Sequence, residues 1–220
     1  MSALPRPSKI VCVGRNYVAH AAELGNEVPS EPLIFLKPPS SLIGNGDAIL
    51  LPPGVGEVHY EGEIGVLMGR RVSRVREEAA MDYVAGIVPV NDVTARTLQR
   101  KDSQWSRAKG FDTFCPLGEP KSPEELDLGS LSVVTRVNGE ERSRGNWKDI
   151  HYSFAEMIER ASDEVFLLPG EVMGSGTVGT GCLLELTKGR GPWLQPGDTV
   201  ELEIERMGVL RNIIGPIDRA

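Results

Sequence analysis

The stretch His59-Tyr60-Glu61-Gly62-Glu63-Ile64-Gly65-Val66-Leu67-Met68-Gly69 decides the fold class. Successive side chains on a strand point to opposite faces, so this alternation reads as a β-strand. Tyr60, Ile64, Val66 and Met68 share one face; His59, Glu61 and Glu63 share the other. Two carboxylates two residues apart repel unless a positive charge lies between them. A divalent cation is one answer, and oxygen-only ligands favour a hard ion such as Mg2+, Mn2+ or Ca2+. A solvated strand face is the other answer. The chain carries its own control in Val200-Glu201-Leu202-Glu203-Ile204-Glu205, which alternates equally well. Pattern alone does not separate the two strands.

Composition bounds the rest. The 220 residues are 40% hydrophobic and 25% charged, a globular balance for one domain, with residues 1–50 as a possible N-terminal subregion. The 25 glycines and 16 prolines favour short strands and turns over a helical bundle. A net charge of −7 with no basic run argues against a nucleic-acid partner. The cysteines at 12, 115 and 182 are odd in number and widely spaced, indicating neither a disulfide framework nor a zinc site. The first residues lack an apolar leader and no run reaches membrane-spanning length, so a cytoplasmic protein is expected.

Further elements follow in order. Ile10–Gly14 reads as a strand, and Arg15–Asn26 as one short helix capped by Gly25. On it His20 and Glu23 are i, i+3 neighbours: a general base with its orienting carboxylate, or an exposed helical pair. Leu33–Lys37 is a strand ending at two prolines. Val84–Val90 is an apolar strand that displays Asp92 just beyond its end, and 93–101 reads as mostly helical. Residues 105–116 read as a loop whose Lys109 sits among small residues and glycine; a solvated surface lysine is the ordinary alternative to a role in the site. Asn138-Gly139 marks a hairpin, and Ser153 with Glu156 forms a capping box before an amphipathic helix. Leu183–Leu186 and 208–212 read as short strands. Gly174-Ser175-Gly176-Thr177-Val178-Gly179 matches the dinucleotide pattern, but no crossover follows it. An anion-binding loop with Thr177 as a hydroxyl donor is the better reading.

Taken together these pieces resemble the fumarylacetoacetate hydrolase family, in particular its short members. The matching residues are Gly14-Arg15-Asn16-Tyr17 with His20 and Glu23; Phe35–Pro38; Glu61–Val66; Ala80–Gly86; Asn91–Arg96 with Gln99; Ala108-Lys109; Gly176-Thr177; and Pro196–Asp198 with Gly208–Asn212. The resemblance implies an α+β, mainly β fold, a mixed β-sandwich roll with short peripheral helices, assembled as a homodimer. It implies Glu61, Glu63 and Asp92 as Mg2+ or Mn2+ ligands, and His20 and Glu23 as a water-activating pair on a lid helix. Lys109 and Gln99 are implied at the substrate's oxyanion or carboxylate, with Arg15 and Thr177 also binding substrate. The activity it implies first is hydrolysis of a C–C bond in acylpyruvate-like β-diketo acids. Oxaloacetate decarboxylation or tautomerisation, and isomerisation of hydroxyheptadienedioate-type diacids, are the alternatives within the family. A non-catalytic binder of small anionic 2-oxo acids is the alternative outside it. Short members usually carry Gly-Thr-Pro-x-Gly-Val-Gly, whereas here Gly176-Thr177-Val178-Gly179-Thr180-Gly181 lacks the proline.

Overall fold

The computed structural model describes residues 6–23, 25, 27–183 and 190–216, and only the backbone of Glu23. The readings at 1–5, 24, 26 and 184–186 lie outside the described residues. The chain opens with β1 (Ile10–Gly14), α1 (Val18–Glu23), β2 (Leu33–Lys37), β3 (Leu42–Ile43), β4 (Ala48–Leu51) and β5 (Val58–His59). Then come β6 (Gly62–Met68), α2 (Glu77–Ala80), β7 (Val84–Asn91), β8 (Thr94–Ala95), α3 (Arg96–Lys101), α4 (Ser106–Lys109) and β9 (Cys115–Pro116). The last part holds β10 (Ser132–Val137), β11 (Glu140–Asn146), α5 (Phe154–Glu164), β12 (Val172–Gly174), β13 (Thr199–Ile204) and β14 (Gly208–Pro216). The fold is mainly β with short helices, as expected.

Two five-stranded sheets carry it. One runs β2-β1-β12-β6-β7 and the other β11-β10-β13-β14-β4. Their facing sides share one core. Val11, Val13, Ile64, Val66 and Met68 from the first sheet meet Val133, Leu202, Ile204 and Leu210 from the second. Helix α5 adds Phe154, Met157, Ile158 and Ala161 to that core. The back of the first sheet is covered as well, where Ile10, Cys12, Val88 and Val90 pack on Cys115 and Leu117. A strand buried on both faces reads as a continuous apolar run, which accounts for β7.

The control strand β13 behaves differently. Val200, Leu202 and Ile204 point into the core, and Glu201 and Glu203 face outward to Arg211 and Arg136. The strand read from His59 to Gly69 is broken at Tyr60-Glu61. Here the chain leaves β5, which pairs with β8, and enters β6, which pairs with β7 and β12. Three more readings change. The helix expected from Arg15 starts only at Val18, because Asn16 is pinned in the core: its Nδ2 donates to the Tyr152 and Ser175 carbonyls at 3.1 and 2.9 Å. The loop expected at 105–116 contains α4, whose Lys109 is buried. The helix from Val93 begins at Arg96, after β8.

Local signals elsewhere hold. Asn138 and Gly139 both take positive φ, 54° and 78°, the backbone of a tight hairpin. In the capping box, the Glu156 N–H donates to Ser153 Oγ at 3.1 Å and the Ser153 N–H to Glu156 Oε2 at 2.7 Å. No helix among the described residues is long and apolar enough to cross a membrane.

Candidate active site

Antiparallel pairing of β6 with β7 assembles the acidic residues. The register sets Gly62 opposite Asn91 and Glu63 opposite Val90. Just past that ladder the Asp92 N–H donates to the Glu61 carbonyl at 2.9 Å, and the Glu61 N–H donates to Asn91 Oδ1 at 3.1 Å. Carboxylate oxygens of Glu61, Glu63 and Asp92 come within 4.8 Å of one another. Glu61 is 4% exposed, Glu63 1% and Asp92 0%, which rules out a solvated strand face.

Buried charges need partners. Lys109 Nζ donates to Glu61 Oε2 at 2.6 Å and to Asp92 Oδ2 at 2.5 Å. Arg96 Nη2 donates to Glu61 Oε1 at 2.5 Å, and Lys37 Nζ donates to Asp92 Oδ1 at 2.6 Å. Burial works against the charge on Glu61, yet Lys109 and Arg96 outweigh it and hold the carboxyl far below the usual carboxylate range. Burial also works against the Lys109 ammonium, but Asp92 and Glu61 hold its pKa above the ordinary lysine value. Glu63 is the exception. It makes no ion pair among the described residues, and its Oε2 accepts from the Gly176 N–H at 3.1 Å. Burial and then the neighbouring Asp92 charge push its pKa well up, with Lys109 opposing.

This imbalance tests whether a metal fits. Three buried carboxylates converge, and one of them lacks a protein cation of its own. A hard divalent cation suits that all-oxygen donor set, so Glu61, Glu63 and Asp92 could hold one. The wall beside Glu63 leaves room for its carboxylate: a Cβ on Gly174 would lie 2.5 Å from Glu63 Oε2.

A cleft of about 290 Å³ opens onto these carboxylates. His20, Arg15, Gln99, Lys109 and Thr177 all line it, so the structure brings together every site residue read from the sequence except Glu23. Glu23 lies on α1 three residues after His20, and only its backbone is described. Contacts at two of these residues add to the reading. Lys109 is 2% exposed and locked between two carboxylates rather than solvated. The glycine-rich loop spends its Gly176 N–H on Glu63, and the Thr177 hydroxyl donates to the Gly62 carbonyl at 3.0 Å. Gln99 Oε1 accepts from Arg96 Nη1 at 2.6 Å.

Sequence reasoning gave Lys37 and Arg96 no role as carboxylate partners. Both lay inside matched motifs, and burial was the missing signal. The thiols of Cys12, Cys115 and Cys182 are buried. Burial raises Cys12 well above its usual value and pushes Cys115 up to about 12, so neither is a thiolate nucleophile.

The family description "Fumarylacetoacetate (FAA) hydrolase C-terminal" matches residues 9–215. The chain belongs to the fumarylacetoacetate hydrolase family. Among relatives of this family member, the oxaloacetate tautomerase YisK of Bacillus subtilis is 39% identical over 96% of this chain and 71% of its own length. The human mitochondrial oxaloacetate tautomerase FAHD2A is also 39% identical, over 96% of this chain and 68% of its own. The crystal structure of 5-carboxymethyl-2-hydroxymuconate delta-isomerase from Mycobacterium smegmatis superposes with a TM-score of 0.85 at 39% identity. It covers 98% of this chain and 81% of that one. These names fit the tautomerase and isomerase alternatives within the family.

Proposed function

We propose that the chain is a divalent-cation-dependent tautomerase that interconverts the enol and keto forms of small 2-oxo dicarboxylic acids of the oxaloacetate type. The observation that carries this reading is the convergence of Glu61, Glu63 and Asp92 at a cleft that also presents His20 and Lys109. The two tautomerase relatives support the substrate class. Glu61, Glu63 and Asp92 are the proposed ligands of Mg2+ or Mn2+. When bound, the cation supplies a Lewis acid for the carboxylate and 2-oxo oxygen of the substrate.

The chain's own residues move protons and manage charge. Removing a proton from C3 of the keto acid leaves an enolate with its charge on the C2 oxygen. Returning a proton to that oxygen gives the enol. His20 is the group proposed for the C3 proton, because an imidazole exchanges protons near neutral pH and this one lines the cleft. Lys109, kept as an ammonium by Glu61 and Asp92, and Gln99 are donors suited to charge growing on oxygen. Phe35 and Trp105 form apolar wall on the same cleft and limit water around the reacting carbons.

A second reading, hydrolysis of acylpyruvate-like acids, is supported by the placement of His20 in the cleft with Glu23 three residues further on α1. The experiment follows oxaloacetate enol decay and acetylpyruvate cleavage with Mg2+-loaded protein. Tautomerisation should be the faster reaction, and His20→Ala should lower its kcat/KM by about 10²–10⁴-fold at unchanged cation content. Faster cleavage of acetylpyruvate would overturn the reading in favour of hydrolysis. An undiminished His20→Ala variant would place the base elsewhere.

A further inference from the structure

Each carboxylate of the acidic centre has one oxygen tied to a protein donor. Arg96 Nη2 donates to Glu61 Oε1, and the Gly176 N–H donates to Glu63 Oε2. Asp92 gives its Oδ1 to Lys37 Nζ at 2.6 Å and meets Lys109 through Oδ2. Lys109 and Arg96 line the cleft, and Lys37 does not. Its side chain is fully buried, and Asp92 is its one ion-pair partner among the described residues.

Strand geometry puts the ammonium there. Lys37 ends β2 opposite Ile10 of β1, two residues past Phe35 and so on the same face. Phe35 forms cleft wall, and the next position on that face reaches Asp92. Pro38 and Pro39 follow at once, and Ser41 closes the turn by donating its N–H and hydroxyl to the Pro38 carbonyl at 3.0 and 2.7 Å. Lys37 Nζ also lies 3.5 Å from the Val93 carbonyl, which seats it against the chain just past Asp92. A buried ion pair is a weak device for stability, because desolvation offsets the attraction. Its best-attested use is to fix one arrangement. Here the arrangement fixed is that of the Asp92 carboxylate.

We infer that Lys37 is a positioning residue that makes Asp92 a one-oxygen ligand and so tunes the acidic centre to Mg2+ over Ca2+. This rests on the reading of Glu61, Glu63 and Asp92 as cation ligands. Ca2+ takes about six to eight oxygens and accepts both oxygens of one carboxylate. Mg2+ is smaller, needs near-octahedral contacts and keeps several waters. With Oδ1 held by Lys37, Asp92 has no oxygen pair to offer.

Calorimetric titration of metal-free protein with Mg2+ and with Ca2+ tests this. The parent should bind Mg2+ more tightly than Ca2+. Lys37→Met, which keeps an unbranched stem and loses the donor, should shift the ratio of the two affinities toward Ca2+ by about 10-fold or more, the scale on which metal affinity responds to loss of an outer partner. Loss of the lysine charge acts alike on two cations of equal charge and cancels in that ratio, as does a general loss of stability. Lys37→Arg, which restores a charged donor, should return the ratio toward the parent's. Infrared difference spectra of the parent on Mg2+ loading need no variant to fold: the spacing of the carboxylate stretches should be that of single-oxygen coordination. A parent preference for Ca2+, bidentate spacing, an unchanged ratio in Lys37→Met, or a Lys37→Arg ratio equal to that of Lys37→Met would overturn the inference. A parent that binds neither cation would overturn it together with the cation reading. A ratio that depends on Lys37 in a protein that leaves oxaloacetate enolisation unaccelerated would keep the inference and refute the tautomerase reading. Acceleration with the ratio unaltered in Lys37→Met would do the reverse.

Discussion

Glu63 and Glu203 occupy equivalent places in two alternating strands and have opposite surroundings. Glu63 is 1% exposed beside two other carboxylates, and Glu203 faces outward to Arg136 at 2.6 Å. Glu63→Ala should therefore reduce Mg2+ or Mn2+ affinity by more than the about 10- to 100-fold that follows loss of an outer partner. Glu203→Ala should leave it unchanged, and calorimetry on the two variants checks both outcomes. A pH dependence follows from the same carboxyl. Its folded pKa is raised above the unfolded value by burial and Asp92. Below the ordinary carboxylate range both states hold the proton and the group is neutral toward stability. As pH rises from there through the folded pKa, the unfolded state releases the proton first and metal-free stability falls. Glu63→Gln should remove that loss, so its stabilising effect in urea titrations grows between acid and neutral pH. At this scale the sequence showed both carboxylate pairs but not which one was buried, because burial depends on strands distant in the chain.

Elements specified by their own residues were legible, and elements specified by distant contacts were not. The hairpin at Asn138-Gly139 and the capping box of α5 need only neighbours within four positions. Ser153→Ala should cost about 1 kcal/mol through the lost cap, lowering Tm by about 2–4 °C in a chain of this size; calorimetric melting checks it. By contrast, the start of α1 is set by Asn16 reaching Tyr152 and Ser175, more than a hundred residues away. Helix α4 has four residues and no apolar period to betray it, yet it delivers Lys109 to the carboxylates. The candidate ligands were legible only because their motifs resembled a family, since spacing alone leaves Glu61-x-Glu63 and Glu201-x-Glu203 indistinguishable.

At the scale of the whole molecule, one sheet is covered on both faces and the other presents an outer face with Val209 and Ile213 exposed. Strand β2 ends its sheet with Leu33 and Leu36 also exposed. We propose that a second copy of the chain covers such apolar surface. Light scattering at micromolar concentration should give twice the 23.9 kDa chain mass, and a monomer would count against it. The acidic centre is built on one sheet, to which β6, β7 and the loop after β12 each contribute a contact. The central claim is that this centre needs a cation to move the enol–keto equilibrium faster. It is tested most directly by the decay of oxaloacetate enol absorbance with protein after chelator treatment, and again after Mg2+ is restored, each against the same buffer without protein. The account predicts no acceleration by the chelated protein and recovery with Mg2+. Equal acceleration before and after restoring Mg2+, or none beyond buffer in either state, would contradict it.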